Sequence, residues 1–113
     1  VGVAGGEVEA EVLWVDRFGN VELAAGPGDG RRAGLGTGEV DLTIGGARRR
    51  VRRVSAFADL GGGGGGDEVG VMVDANGRLA LVCDRRSAAT VLGVRAGDKV
   101  TLSRPARSPG ERP

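Results

Sequence analysis

Glu7-Val8-Glu9-Ala10-Glu11-Val12-Leu13-Trp14-Val15 runs straight into Asp16-Arg17-Phe18-Gly19-Asn20. In the first segment Val8, Ala10, Val12 and Trp14 share one face, and Glu7, Glu9 and Glu11 share the other. A period of two is that of a strand with one face in water. Leu13 and Val15 fall on the polar face, so the strand is expected to become buried on both sides as it nears Asp16. The residues that follow place an acid, a base, an aromatic ring, a glycine and an amide side by side. Gly19-Asn20 alone can supply the positive φ that a hairpin turn needs. A large apolar ring is not required there. Phe18 is therefore either folded back into the core or offered to a ligand, and Asn20 is either a turn former or a binding group.

Outward from this stretch the chain reads as further short strands. Asn20 to Ala24 is expected to run antiparallel to the first. Ala25 to Gly38 is rich in glycine and reads as a loop. Its glycines lack phosphate-loop spacing and no lysine follows them, which argues against a nucleotide phosphate loop. Glu39 to Ile44 alternates, with Val40, Leu42 and Ile44 inward. Gly45-Gly46 suits a two-residue hairpin turn, and Ala47 to Val54 returns as a strand. The six glycines Gly61 to Gly66 read as a flexible linker within the domain. Val69 to Val73 and Arg78 to Cys83 form a strand pair, joined by Asp74-Ala75-Asn76-Gly77, where Asn-Gly predicts a tight primed turn. Ser87 to Leu92 is expected to be a short helix, with Ser87 as N-cap and Gly93 as its stop. Lys99 to Ser103 is a last strand. The fold class is thus all-β and mainly antiparallel, a small barrel or sandwich of about seven strands with one short helix. Residues 1–6 are expected to be a flexible N-terminus, 7–103 the domain, and 104–113 a disordered, proline-containing tail.

Composition narrows the chemistry. The chain has 113 residues and a net charge of +1, so no global field recruits nucleic acid or an anionic membrane. There is no histidine, which excludes histidine acid–base catalysis and histidine metal sites from this chain. Cys83 is the only cysteine and sits in an apolar run, as a buried inert thiol does. No stretch has the apolar length of a membrane span and the N-terminus does not read as a signal peptide, so a cytoplasmic location is the default. A start at Val1 fits a chain cut from something longer, and equally a non-standard start. Arg48, Arg49, Arg50, Arg52 and Arg53 form a basic strand that suggests phosphate or RNA binding. No aromatic residue lies among them to stack bases. A solvated edge strand whose charges prevent edge pairing is the favoured alternative.

Three segments, in order, resemble the C-terminal domain of the S-adenosylmethionine (SAM) hydroxide adenosyltransferase, chlorinase and fluorinase family. The first is Asp16-Arg17-Phe18-Gly19-Asn20. The second is Phe57-Ala58-Asp59. The third is Asn76-Gly77-Arg78-Leu79-Ala80-Leu81, with Ser87-Ala88-Ala89 and Gly97-Asp98-Lys99-Val100 after it. The resemblance implies a domain that binds the adenosyl group of SAM, supplying half of an intersubunit site for the conversion of SAM and water to adenosine and methionine. It implies adenine contacts from Phe18, Asn20 and Phe57. At the methionine end it implies Asp16, with Ala75 and Asn76 where the family carries serine and commonly arginine or a small residue. Asp84 stands for the family's asparagine, and Arg85 beside it can pair with a carboxylate. The catalytic acid, arginine and histidine are implied to lie in a larger N-terminal domain, so no catalytic residue is assigned here and the chain alone is expected to be inactive. SAM is the substrate and no cofactor or metal is implied. The implied partners are SAM or adenosine, the larger domain, and two further subunits in a homotrimer. Halide chemistry is less favoured than hydrolysis. The alternative is a non-catalytic small β-barrel binding a nucleotide, RNA or a protein partner.

Overall fold

The computed structural model describes residues 2–35, 38–55, 68–84 and 86–105. Its elements are β1 (Gly2–Ala4), β2 (Glu7–Val15), β3 (Val21–Leu23), α1 (Pro27–Arg32), β4 (Glu39–Ile44), β5 (Ala47–Arg53), β6 (Val69–Val73), β7 (Leu79–Cys83), α2 (Ala88–Leu92) and β8 (Lys99–Ser103). They form one eight-stranded sheet in the order β1-β2-β3-β7-β6-β5-β4-β8. A second pairing, β2 with β8 from Glu7↔Ser103 to Glu11↔Lys99, closes it. β1 lies outside that closure, and the other seven strands make the barrel. The small barrel expected from the alternating segments is therefore present.

The inward residues of each strand fill it. Val8, Val12, Leu23, Leu42, Leu81 and Leu102 are fully buried. Each such aliphatic side chain contributes about 1.5–3 kcal/mol relative to exposure. With so few aromatic rings, the core is made of valine, leucine and alanine.

Several local expectations are corrected. Gly2–Ala4, read as part of a flexible N-terminus, pairs antiparallel with Glu7–Glu9. Ala25 to Gly38 is not all loop, because Pro27–Arg32 is helical. Glycine disfavours such a helix, but Pro27 fixes φ in its first turn and Asp29 Oδ2 accepts the Gly26 N–H at 2.8 Å. β5 is no free edge: it pairs with β4 from Ala47 to Arg52, and its Arg52–Arg53 end pairs parallel with β6. Tight turns force antiparallel neighbours, whereas residues 54–68 between β5 and β6 leave the direction free.

The end of β2 also departs from its pattern. Val12 pairs with Leu23 and Trp14 with Glu22, so Leu13 is an inserted residue, a β-bulge. One extra residue moves everything beyond it to the opposite face. Trp14 therefore leaves the core face and is 50% exposed, and Leu13 is 40% exposed rather than buried.

The other turns behave as their residues dictate. Gly45 and Gly46 have φ of +55° and +88° and join Ile44 directly to Ala47. Ser87 Oγ accepts the Thr90 N–H at 3.1 Å, and Gly93 ends α2 with φ +70°. No described helix is long and apolar enough to cross a membrane.

Candidate functional site

The turn between β2 and β3 is built by one carboxylate. Asp16 Oδ1 accepts the backbone N–H of Phe18 and of Asn20, each at 2.9 Å. Asp16 Oδ2 accepts the Asn20 amide Nδ2 at 3.0 Å. The Asp16 and Asn20 backbones close the loop, N–H to carbonyl, at 3.0 Å. Gly19 has φ +85°, and a Cβ placed there would meet Ser87 Oγ at 2.1 Å and Ser87 Cα at 2.5 Å. The glycine thus serves two needs, positive φ and close packing of the turn on the start of α2. The Ala89 N–H completes that docking by donating to the Gly19 carbonyl at 2.9 Å.

This construction leaves Phe18 outside. Its ring is 66% exposed, with the Arg17 guanidinium 4.9 Å from its centroid. The core alternative for Phe18 fails. Asn20 is a turn former, and it also lines a cavity.

The β6–β7 connection repeats the design. Asp74 Oδ1 accepts the backbone N–H of Asn76 at 2.9 Å and of Arg78 at 3.0 Å. The two-residue primed turn expected at Asn76-Gly77 is not formed. Val73 pairs with Leu79 and the Asp74 N–H donates to the Arg78 carbonyl at 2.8 Å, so the loop is the three residues Ala75, Asn76 and Gly77. The Asp74 carboxylate stabilises this longer loop, with only Gly77 needing positive φ, +77°. Burial pushes the Asp74 pKa up, but hydrogen bonding with the Glu22 side chain and the Arg78 and Asn76 N–H groups, together with the Arg78 charge, holds it below the ordinary 3.8.

Two adjoining cavities result. The larger, about 720 Å³, is lined by Asp16, Phe18 and Asn20 on one side and by Cys83, Asp84, Arg86 and Ser87 on the other. The smaller, about 300 Å³, is lined by Trp14, Asp16, Asn20 and Glu22 and by the loop residues Asp74, Ala75 and Asn76, among others. Asp16 and Asn20 face both. Of the residues singled out from sequence, Asp16, Phe18, Asn20, Ala75 and Asn76 are therefore brought together. Phe57 and Arg85 lie outside the described residues, as do Gly61–Gly66 and residues 106–113.

Glu22 and Trp14 were not anticipated as a pair. Glu22 is 7% exposed and lines the smaller cavity. Its Oε1 accepts the Trp14 indole N–H at 3.0 Å, its Oε2 accepts Asn76 Nδ2 at 2.7 Å, and Arg78 Nη1 stands 3.7 Å away. A single acid inside a short apolar strand was the only signal in the sequence.

Two arginines of the basic strand are matched by acids. Arg50 Nε donates to buried Asp41 at 2.7 Å and Arg50 Nη1 to Glu39 at 3.1 Å; Arg52 pairs with Glu68 at 3.2 Å. The bond to Asp41 is the main cause that raises the Arg50 pKa above its ordinary value, against a smaller opposing effect of burial. Among the described residues, no three histidine, cysteine, aspartate or glutamate side chains are grouped to hold a metal.

Comparison with known proteins bears on this geometry. Residues 10–101 match the model of the SAM hydroxide adenosyltransferase C-terminal domain. The chain is 35% identical, over 94 residues, to an (R)-S-adenosyl-L-methionine hydrolase from Salinispora tropica, covering 83% of this chain and 32% of that protein. An uncharacterized conserved protein from Thermotoga maritima superposes with a TM-score of 0.82 at 26% identity, over 90% of this chain and 38% of its own. A conserved hypothetical protein from Thermus thermophilus gives 0.60 at 28% identity, over 88% of this chain and 37% of its own. The chain spans about a third of the length of each of these relatives.

Proposed function

The chain belongs to the SAM hydroxide adenosyltransferase family, as its C-terminal domain, and from that premise we propose that it supplies the adenosyl-binding half of a site hydrolysing SAM to adenosine and methionine. The observation that carries the reading is convergence. Asp16, Phe18 and Asn20 come from one hairpin and Ala75 and Asn76 from another, distant in the chain, yet they line two adjoining cavities.

In this reading the adenine ring lies against Phe18. An exposed phenyl face at a cavity wall stacks a base with a contribution of about 1–3 kcal/mol. Asn20 gives one N–H to Asp16, which leaves its Oδ1 and second N–H for the base edge. Asp16 Oδ1 is occupied by two backbone donors, so Oδ2 is the oxygen that faces the ammonium of the methionine part. Ala75 and Asn76 border that end, and Arg85 pairs with the methionine carboxylate. Water attacks C5′, the C5′–S bond breaks, and its electron pair returns to sulfur, which turns the sulfonium into a neutral thioether. The proton lost by water goes to a base outside this chain.

The catalytic groups belong to a larger N-terminal domain of the same enzyme, with the site between subunits of a homotrimer in the cytoplasm. That the chain spans only a third of its relatives supports a larger partner domain. The test is SAM turnover by the intact enzyme, following adenosine and methionine by chromatography. Phe18→Ala and Asn20→Ala should each raise the inhibition constant of adenosine roughly tenfold. An enzyme in which neither substitution moves that constant does not bind adenine here.

A further inference from the structure

We infer that Glu22 is a positioning residue for the methionine end of the substrate, acting through Asn76 and Trp14; the inference rests on the reading just given. Burying a carboxylate is expensive unless every oxygen is matched. An apolar side chain at position 22 would fill the same buried place without that cost, since Glu22 is only 7% exposed. What the carboxylate adds is fixed geometry in two groups that line the smaller cavity. Asn76 is exposed, and a free asparagine amide turns over between two orientations. With Nδ2 held at 2.7 Å from Glu22 Oε2, turning it over would replace that N–H to oxygen bond with two facing oxygens. Glu22 therefore selects one orientation of Asn76. The same carboxylate pins the Trp14 indole by its N–H at 3.0 Å, although that ring stands half exposed beyond the bulge. Trp14 comes from β2 and Asn76 from the β6–β7 loop, so Glu22, part of the lining itself, ties two walls of the cavity together.

Glu22 does not line the larger cavity, which holds Phe18. Its effect should fall on SAM and spare adenosine, which lacks the methionine end. Glu22→Gln keeps the shape and turns a donor toward Asn76, which inverts the selected orientation. In the intact enzyme this variant should raise KM for SAM roughly tenfold, the scale of one hydrogen bond to a charged partner. The inhibition constant of adenosine should stay within about twofold and kcat within about threefold. Asn76→Ala should raise KM similarly, and the double variant should be no worse than Asn76→Ala alone. If Glu22→Gln does not fold, Asn76→Leu keeps the size of the side chain but removes the amide, and should produce the same selective rise in KM. Equal losses for SAM and adenosine, or additive effects in the double variant, overturn the proposal and make Glu22 structural only. A wild type that neither binds adenosine nor consumes SAM removes the underlying reading instead, and with it the proposal. That outcome is separable because it appears before any substitution is made.

Discussion

At the scale of single residues, the turn Asp16–Asn20 separates what holds the fold from what faces a ligand. Gly19 belongs to the first class. A methyl group there meets Ser87 backbone and side chain below 3 Å, and φ is +85°. Gly19→Ala should lower stability by about 2 kcal/mol or more, read as an earlier midpoint in urea. Phe18 belongs to the second class. Its ring is mostly in water, so Phe18→Ala should change stability by less than about 0.5 kcal/mol. A larger loss would place the ring in a packing role that its exposure does not suggest. The sequence left Phe18 open between core and ligand because both settings tolerate an apolar ring. Only the turn's closure around the Asp16 carboxylate puts that ring outside.

At the scale of elements, alternation was a sound guide wherever one face was dry. The bounds of Lys99–Ser103, the Gly45-Gly46 turn and the Ser87 cap are as the residues predict, because each rests on local chemistry. The failures have two causes, a non-local strand pairing and short-range carboxylate bonds that outweigh residue preference. The bulge at Leu13 depends on how β3 pairs, and α1 rests on Pro27 and the Asp29 cap, which offset its glycines. The closing of Asp74–Arg78 as a longer loop depends on a carboxylate that competes with the Asn-Gly signal. Glu22 was illegible because a buried acid looks, in sequence, like an exposed one. The β6–β7 loop also carries a pH signature. The Asp74 pKa is depressed in the folded state, so its contribution is present above the ordinary 3.8 and is lost as pH falls through the lower folded value. In urea titrations, Asp74→Asn should be less stable than wild type at pH 5, and the gap should narrow as the pH falls below 3.8. A gap that stays constant with pH would mean that the carboxylate's charge does not stabilise the loop.

At the scale of the whole molecule, closure decides whether the chain can stand alone. An open sheet exposes two unpaired edges, whereas here β8 bonds both β4 and β2, and only β1 remains beside the barrel. The core is continuous through the interior, with residues from β2, β3, β4, β6, β7 and β8 all in one cluster. A single closed barrel around one core should unfold as one unit. The cavities are another matter: they open on the surface, and this chain has no histidine to move a proton at neutral pH. The isolated chain should therefore fold and yet not catalyse. Trp14 is the only tryptophan and stands at the smaller cavity, so its fluorescence reports the site while far-ultraviolet circular dichroism reports the barrel. The two probes should give coincident urea transitions. Incubated with SAM, the same preparation should release no adenosine above a buffer blank. Separate transitions would show that the hairpin around Trp14 melts independently of the barrel. Turnover that Asp16→Ala abolishes would mean that this domain holds a complete site, and that the catalytic groups must be sought among its own carboxylates and arginines.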